Sequence, residues 1–227
     1  MLVRTLEPEI MEGNDEAEEY AAMNFAAPNA RFAEDALALI ANVENPVALD
    51  IGTGTAEIPL LMLSRHRSLR VVAVDLADAM LAIARRRATE SGHQARIELR
   101  KLDGKALGLP HGSFDLVMSN SVVHHIPNPA DLFLQVATAV RPNGAIIVRD
   151  LARPPSREAA AALVERYADG DTAKQRGLFF DSLCAALTIP EVREAATTAG
   201  LTDLRIVMVS DRHWTAERSA SSVRRSP

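Results

Sequence analysis

Five polar residues stand where short apolar runs end: Asp50, Asp75, Asp103, Asn120 and Asp150. A carboxylate at such a place can accept hydrogen bonds from two hydroxyls of one ligand, and an amide can both donate and accept. Between the first two acids lies Gly52-Thr53-Gly54, where the missing Cβ atoms let a ligand approach the backbone closely. A second group with reactive chemistry is His124-His125 in NSVVHHI; either imidazole could take a proton from a hydroxyl or thiol. Packing beneath the loop is the plainer role for the pair. No third ligand is identifiable beside them, so no metal site is expected.

The glycine pair admits two ligand chemistries. A dinucleotide fingerprint requires a third small residue, and that position holds Glu57. A carboxylate there would repel a pyrophosphate, and Asp50 adds to the repulsion. S-adenosylmethionine suits the loop better. It carries adenosine without phosphate, and its other end is cationic.

The elements that must hold these groups follow from the hydrophobic pattern. PVALDI, RVVAVD, ARIELRK, SFDLVMSN and GAIIVRD read as five strands, with helical runs between most of them. Such alternation specifies an α/β doubly wound sheet, whose ligands bind at the carboxyl ends of the strands. Two helices are expected before strand one. In the second of them Phe32, Ala36, Leu39 and Ile40 share one stripe. Two further helices are expected within 154–187, then a capping box from Thr188 to Glu191, a strand DLRIVMVS and a possible seventh strand HWTAER. The tail SASSVRRSP reads as disordered. The division is a helical cover or lid over 1–45, a main domain over 46–218 and the tail over 219–227.

With these residues in order, the chain resembles the class I S-adenosylmethionine-dependent methyltransferases. LDIGTGTAE is similar to their first motif, with Ala56 where a third glycine is common, and VVAVDLADAML is similar to the second. LDGKALGLPHGSFDLVMSNSVVHHI resembles the following pair and AVRPNGAIIVRD the fifth-strand motif. The resemblance runs from about Pro46 to Asp150. Small-molecule methyltransferases of ubiquinone and menaquinone biosynthesis are the nearest type. It implies a Rossmann-like fold with a mainly parallel seven-stranded sheet, helices on both faces, an N-terminal helical cover and a helical insertion after strand five. It implies a cofactor site of Asp50, Gly52, Thr53, Gly54, Asp75, Leu76, Met80, Asp103, Gly104 and Asn120. Asp75 would hold the ribose hydroxyls, Asp103 the adenine amino group, Gly104 would pack beside the ring and Asn120 would wall the methionine end. S-adenosylhomocysteine would be the product.

Acceptor recognition is expected outside the shared core, with Tyr20, Asn24, Phe32, Arg153 and Trp214 as candidates. The plainer reading of Trp214 is that it covers the sheet edge while Asp211 pairs with Arg212 or a neighbour. Asp50 and Asp75 could each merely cap a helix, but their arrival at successive strand ends with the loop between them favours a ligand.

Composition removes several function classes. The net charge of -5 argues against a nucleic-acid surface. The single cysteine, Cys184 in LCAAL, excludes an intrachain disulfide framework and a cysteine-rich metal centre, and reads as a buried small hydrophobe. No apolar run approaches the ~20 residues of a membrane span, and the acidic N-terminus lacks a signal-peptide pattern. A cytoplasmic methyltransferase with a small-molecule acceptor is the expectation. A non-catalytic S-adenosylmethionine-binding sensor or scaffold is the alternative, and a nicotinamide oxidoreductase is disfavoured by Glu57. Acceptor and oligomeric state are not legible.

Overall fold

The computed structural model describes residues 2–7, 18 and 25–221. The order of elements is α1 (Ala26–Leu39), β1 (Val47–Ile51), α2 (Glu57–Arg65), β2 (Arg70–Asp75), α3 (Asp78–Glu90), β3 (Ile97–Lys101) and β4 (Phe114–Asn120). A 3-10 turn (Val123–His125) leads to α4 (Pro129–Ala139) and β5 (Val140–Leu151). Then come α5 (Arg157–Tyr167), α6 (Ala173–Ala185), α7 (Ile189–Thr198), β6 (Arg205–Met208) and β7 (His213–Arg218).

The seven strands form one sheet in the order β3-β2-β1-β4-β5-β7-β6. The neighbours among β1 to β5 are parallel, and β7 runs antiparallel to both β5 and β6. The strand order reverses between β1 and β4, which places the switch point where the glycine loop leaves β1.

Alternate residues of each strand enter two cores. Ala48, Ala73, Leu116, Met118 and Ile147 pack with Phe32 and Ala36 of α1 and with Met62 and Leu63 of α2. Leu49, Ile51, Val117, Ile146 and Val148 pack on the opposite face with α4, α7 and Trp214. A third cluster joins α5 and α6 through Ala160, Val164 and Leu183. The period-2 alternation of buried strands is thus used on both sides.

Local signals behave as their chemistry requires. Thr188 and Glu191 form a reciprocal capping box at α7, and Gly92 and Gly200 take left-handed φ values of 71° and 80° just past α3 and α7. Asn128 sits at the N-cap of α4, but its side-chain amide donates to Asp131 Oδ1 at 2.8 Å instead of capping. HWTAER is a strand in full, yet it is not at the edge: β7 lies inside β6, and Trp214 is fully buried. The edge role expected for Trp214 is therefore corrected. Asp211 does pair with Arg212, and also accepts from the Tyr167 hydroxyl at 2.6 Å. At the tail, Ala220 N–H donates to Leu39 O and Ser221 N–H to Asn143 O, while the rest of the segment expected to be disordered, 222–227, lies outside the described residues. Among the described residues, no helix is long and apolar enough to cross a membrane.

Candidate cofactor site

The glycine loop is built on the end of β2. Gly52 N–H and Thr53 N–H both donate to Val74 O at 2.9 Å, Gly54 N–H donates to Asp75 Oδ2 at 2.7 Å, and Ala56 N–H donates to Thr53 O. These four amides are committed to protein acceptors, so the loop does not present the ring of donors that a phosphate needs. Gly52 has φ 73°, and a Cβ there would stand 2.3 Å from Val122 Cγ2. Only glycine fits both demands. Ala56 adopts φ 60° at the head of α2, where the common third glycine of the family would be unstrained. Ser121, just past β4, is also left-handed, at φ 57°. Strained backbone thus flanks both walls of one pocket.

That pocket opens at the carboxyl ends of β1 and β4. Asp50, Gly52, Thr53, Gly54 and Glu57 form one side, Asn120 and Ser121 the other, and Phe25 and Asn29 approach from the N-terminal side. Pairing of Ile51 with Ser119 in adjacent parallel strands brings Asn120 to the loop. Burial drives the Asp50 carboxyl up to about 7, and the neighbouring Asp75 charge pushes in the same direction. The Thr53 hydroxyl beside this carboxyl works against the rise. A buried acid and a second carboxylate, Glu57, in one concave site are features of a surface suited to a polar, cationic ligand.

The remaining expected cofactor residues sit beside this lining. Asp75 accepts from Gly54 N–H and from Ala77 N–H at 2.9 Å, which leaves further lone pairs on both oxygens. Burial raises its pKa, against the pull of those backbone donors. Leu76 is half-buried, and Met80 packs with Ala77 and Ile83. Asp103 accepts from Lys105 N–H at 2.8 Å and pairs with the Lys105 ammonium at 3.0 Å. Gly104 lies against Ile51, whose Cγ2 would be 3.0 Å from an added Cβ.

Several candidates are brought elsewhere. Phe32 is buried under α1 with its ring 5.2 Å from the Arg149 guanidinium. Arg153 bonds Ala186 O and Glu191 Oε1, which knits the α7 cap to β5. Trp214 belongs to the core on the α4 and α7 face. Tyr20 and Asn24 lie outside the described residues.

His124 and His125 are not among the residues lining the pocket. His124 is buried, with Nδ1 2.6 Å from Asp150 Oδ1 and Nε2 3.2 Å from Glu7 Oε1. His125 Nδ1 is 3.2 Å from the same Glu7 oxygen. The alternation of β5 explains the segregation. Asp150 shares parity with Ile146 and Val148 and faces the α4 and α7 side, whereas Asp50 shares parity with Ala48 and faces α1 and α2. The Glu7 carboxylate, which the sequence did not place beside the pair, is a third group of metal-ligating type within reach of both rings. No local pattern announced it, because the N-terminal segment docks through Leu2 N–H on Pro155 O and Thr5 N–H on Cys184 O.

Residues 49–148 match the family model for a methyltransferase domain. The chain is 30% identical over 120 residues to a ubiquinone biosynthesis O-methyltransferase of Leptothrix cholodnii, covering 52% of this chain and 50% of that protein. It is 33% identical over 120 residues to a demethylmenaquinone methyltransferase of Thermus thermophilus, covering 52% of each. The chain thus spans about half the length of the curated relatives it matches. Among solved structures, a SAM-dependent methyltransferase from Aquifex aeolicus superposes with a TM-score of 0.65 at 15% identity, over 92% of this chain and 99% of that one. The chain therefore has a Rossmann-like methyltransferase fold, and β1 to β5 with the pocket residues Asp50 to Ser121 fall within or beside the matched segment.

Proposed function

We propose that the chain transfers a methyl group from S-adenosylmethionine to a small-molecule acceptor. The observation that carries the reading is the glycine loop: its amides are already used, its walls are acidic, and it lies in a methyltransferase domain at the switch point. When bound, S-adenosylmethionine supplies an activated methyl group for in-line displacement. The protein's task is then alignment and exclusion of water, and good alignment alone is worth about 7–11 kcal/mol.

Asp75 has lone pairs to accept from the ribose hydroxyls while its bonds to Gly54 and Ala77 hold it still. Asp103 and Gly104 would border the adenine, with Leu76 and Met80 along the same rim. Asp50, Thr53 and Asn120 would receive the amino-acid end. The names of the relatives from Leptothrix and Thermus support an acceptor of quinone-precursor type for this chain.

The N-terminal region is the cover in this reading, and α5 with α6 is the added helical pair bordering the acceptor side. Phe25 and Asn29 already line the pocket, and Glu18 pairs with Arg86 on α3 at 3.3 Å. Calorimetry with S-adenosylhomocysteine and with NAD tests the ligand. Binding of the first without metal or phosphate is expected; binding of NAD with no response to S-adenosylhomocysteine overturns the proposal. Release of S-adenosylhomocysteine across an acceptor library then tests the transfer itself.

A further inference from the structure

Two chain segments far apart in sequence meet at the Glu7 carboxylate. Glu7 Oε1 stands 3.2 Å from His124 Nε2 and 3.2 Å from His125 Nδ1, and the three ligand atoms lie within 4.8 Å of one another. We propose that Glu7, His124 and His125 form a binding site for one divalent transition-metal ion of zinc type, held on the opposite face of the sheet from the cofactor pocket. The inference stands independently of the methyl-transfer reading.

The ligand geometry supports it first. Bonds of about 2.0–2.1 Å at tetrahedral angles separate neighbouring ligand atoms by about 3.4 Å. Both measured separations from Glu7 are close to that value. The third contact needs a turn of His125, whose side chain is a quarter exposed at 26%.

The supporting contacts are those of a metal-binding histidine. Asp150 Oδ1 takes the Nδ1 side of His124 at 2.6 Å, and Asp150 Oδ2 accepts from His124 N–H at 3.0 Å. A carboxylate on one ring nitrogen fixes the tautomer that presents the other nitrogen to a metal. Arg4 holds the turn from below, donating to the carbonyls of His124, Ile126 and Pro127. The Ser182 hydroxyl stands 3.1 Å from both oxygens of Glu7, and its one proton is shared between them.

Burial points the same way. Asp150 and Glu7 are two carboxylates whose side chains are only 1% and 8% exposed. An ion coordinated by Glu7 meets the second of these acids directly, while Asp150 stays bonded to His124. A proton held between Glu7 and His124 Nε2 leaves to solvent as the ion enters. Two imidazoles with one carboxylate select a borderline transition ion over magnesium or calcium, which seek oxygen ligands.

The test uses the full chain stripped with a chelator and titrated with zinc, and with cobalt as a spectroscopic probe. One ion per chain is expected, with a visible cobalt spectrum showing nitrogen and oxygen ligands. Glu7→Gln, an isosteric change, and His125→Ala, at the more exposed ligand, should each weaken binding at least tenfold while circular dichroism remains native. His111→Ala, at an exposed histidine elsewhere, should change nothing. Absence of stoichiometric binding to the folded wild-type chain overturns the proposal. So does equal affinity in the folded Glu7→Gln and His125→Ala variants, which would mean adventitious surface binding.

Discussion

Asp50 is a buried acid whose native carboxyl keeps its proton to about pH 7, against an ordinary value of 3.8. Between those values the native state binds more protons than the unfolded state, so this group's contribution lowers stability as pH rises across that window. A cationic ligand end beside Asp50 would favour the ionised form and release the proton. S-adenosylhomocysteine should therefore bind more tightly as pH rises through about 7, with a heat that depends on the buffer's ionisation enthalpy. In Asp50→Asn that dependence should vanish; a buffer-independent heat in the wild type would remove Asp50 from the ligand's charge. Asp75→Ala should weaken binding by more than ~1 kcal/mol, as a titration of the folded variant will show. At Gly52 the penalty is steric as well as conformational. Gly52→Ala should cost about 2–5 kcal/mol in denaturant unfolding, and adding Val122→Ala should recover the packing part but not the part due to φ. Much of this site was readable in the sequence, because strand-end acids and a glycine turn are local signals. What could not be read is that the loop's amides are consumed by Val74 and Asp75, since a hydrogen bond has no signature in residue type.

At the scale of elements, α1 shows how far periodicity reaches. Its stripe through Phe32, Ala36 and Ile40 is buried as spaced, while Leu39 lies only partly buried. Its partner was invisible: Arg149 on β5 lies beside the Phe32 ring and bonds Asp35 at 2.8 Å and Thr215 at 2.8 Å, across separations of 114 and 66 residues. Phe32→Ala should destabilise the protein by about 3–5 kcal/mol. Because α1 also delivers Asn29 to the pocket, the same substitution should weaken S-adenosylhomocysteine binding, and unchanged affinity in the folded variant would separate α1 from the site. The histidine turn takes the plainer of its two expected roles, hydrogen bonding beneath the loop, for a related reason. NSVVHHI follows strand four and so belongs near the ligand in chain order, but the parity of β5 directs Asp150, and His124 with it, to the other face.

For the whole molecule, the five-strand parallel half was legible because βα alternation leaves few topologies. The late half was less so: insertion of β7 between β5 and β6 depends on antiparallel pairing of short strands that carry no order of their own. This insertion locks the C-terminal residues into the main core through Trp214 and Ala216. Thermal unfolding followed by tryptophan emission and by far-ultraviolet circular dichroism should therefore give coincident transitions. An earlier loss of helix signal would show that the α5 and α6 pair, with its separate cluster, opens first.

Trp214 is the only tryptophan, and it faces Asp150 on a single antiparallel rung. Directly opposed residues share a face with Cβ atoms about 4.5–5.5 Å apart. Nature has in effect placed one chromophore against the carboxylate that orients His124. Any event that changes the charge of that pair, a proton leaving or an ion arriving, shifts the electric field across the indole. The protein carries its own electrochromic dye, readable at the emission maximum without a label.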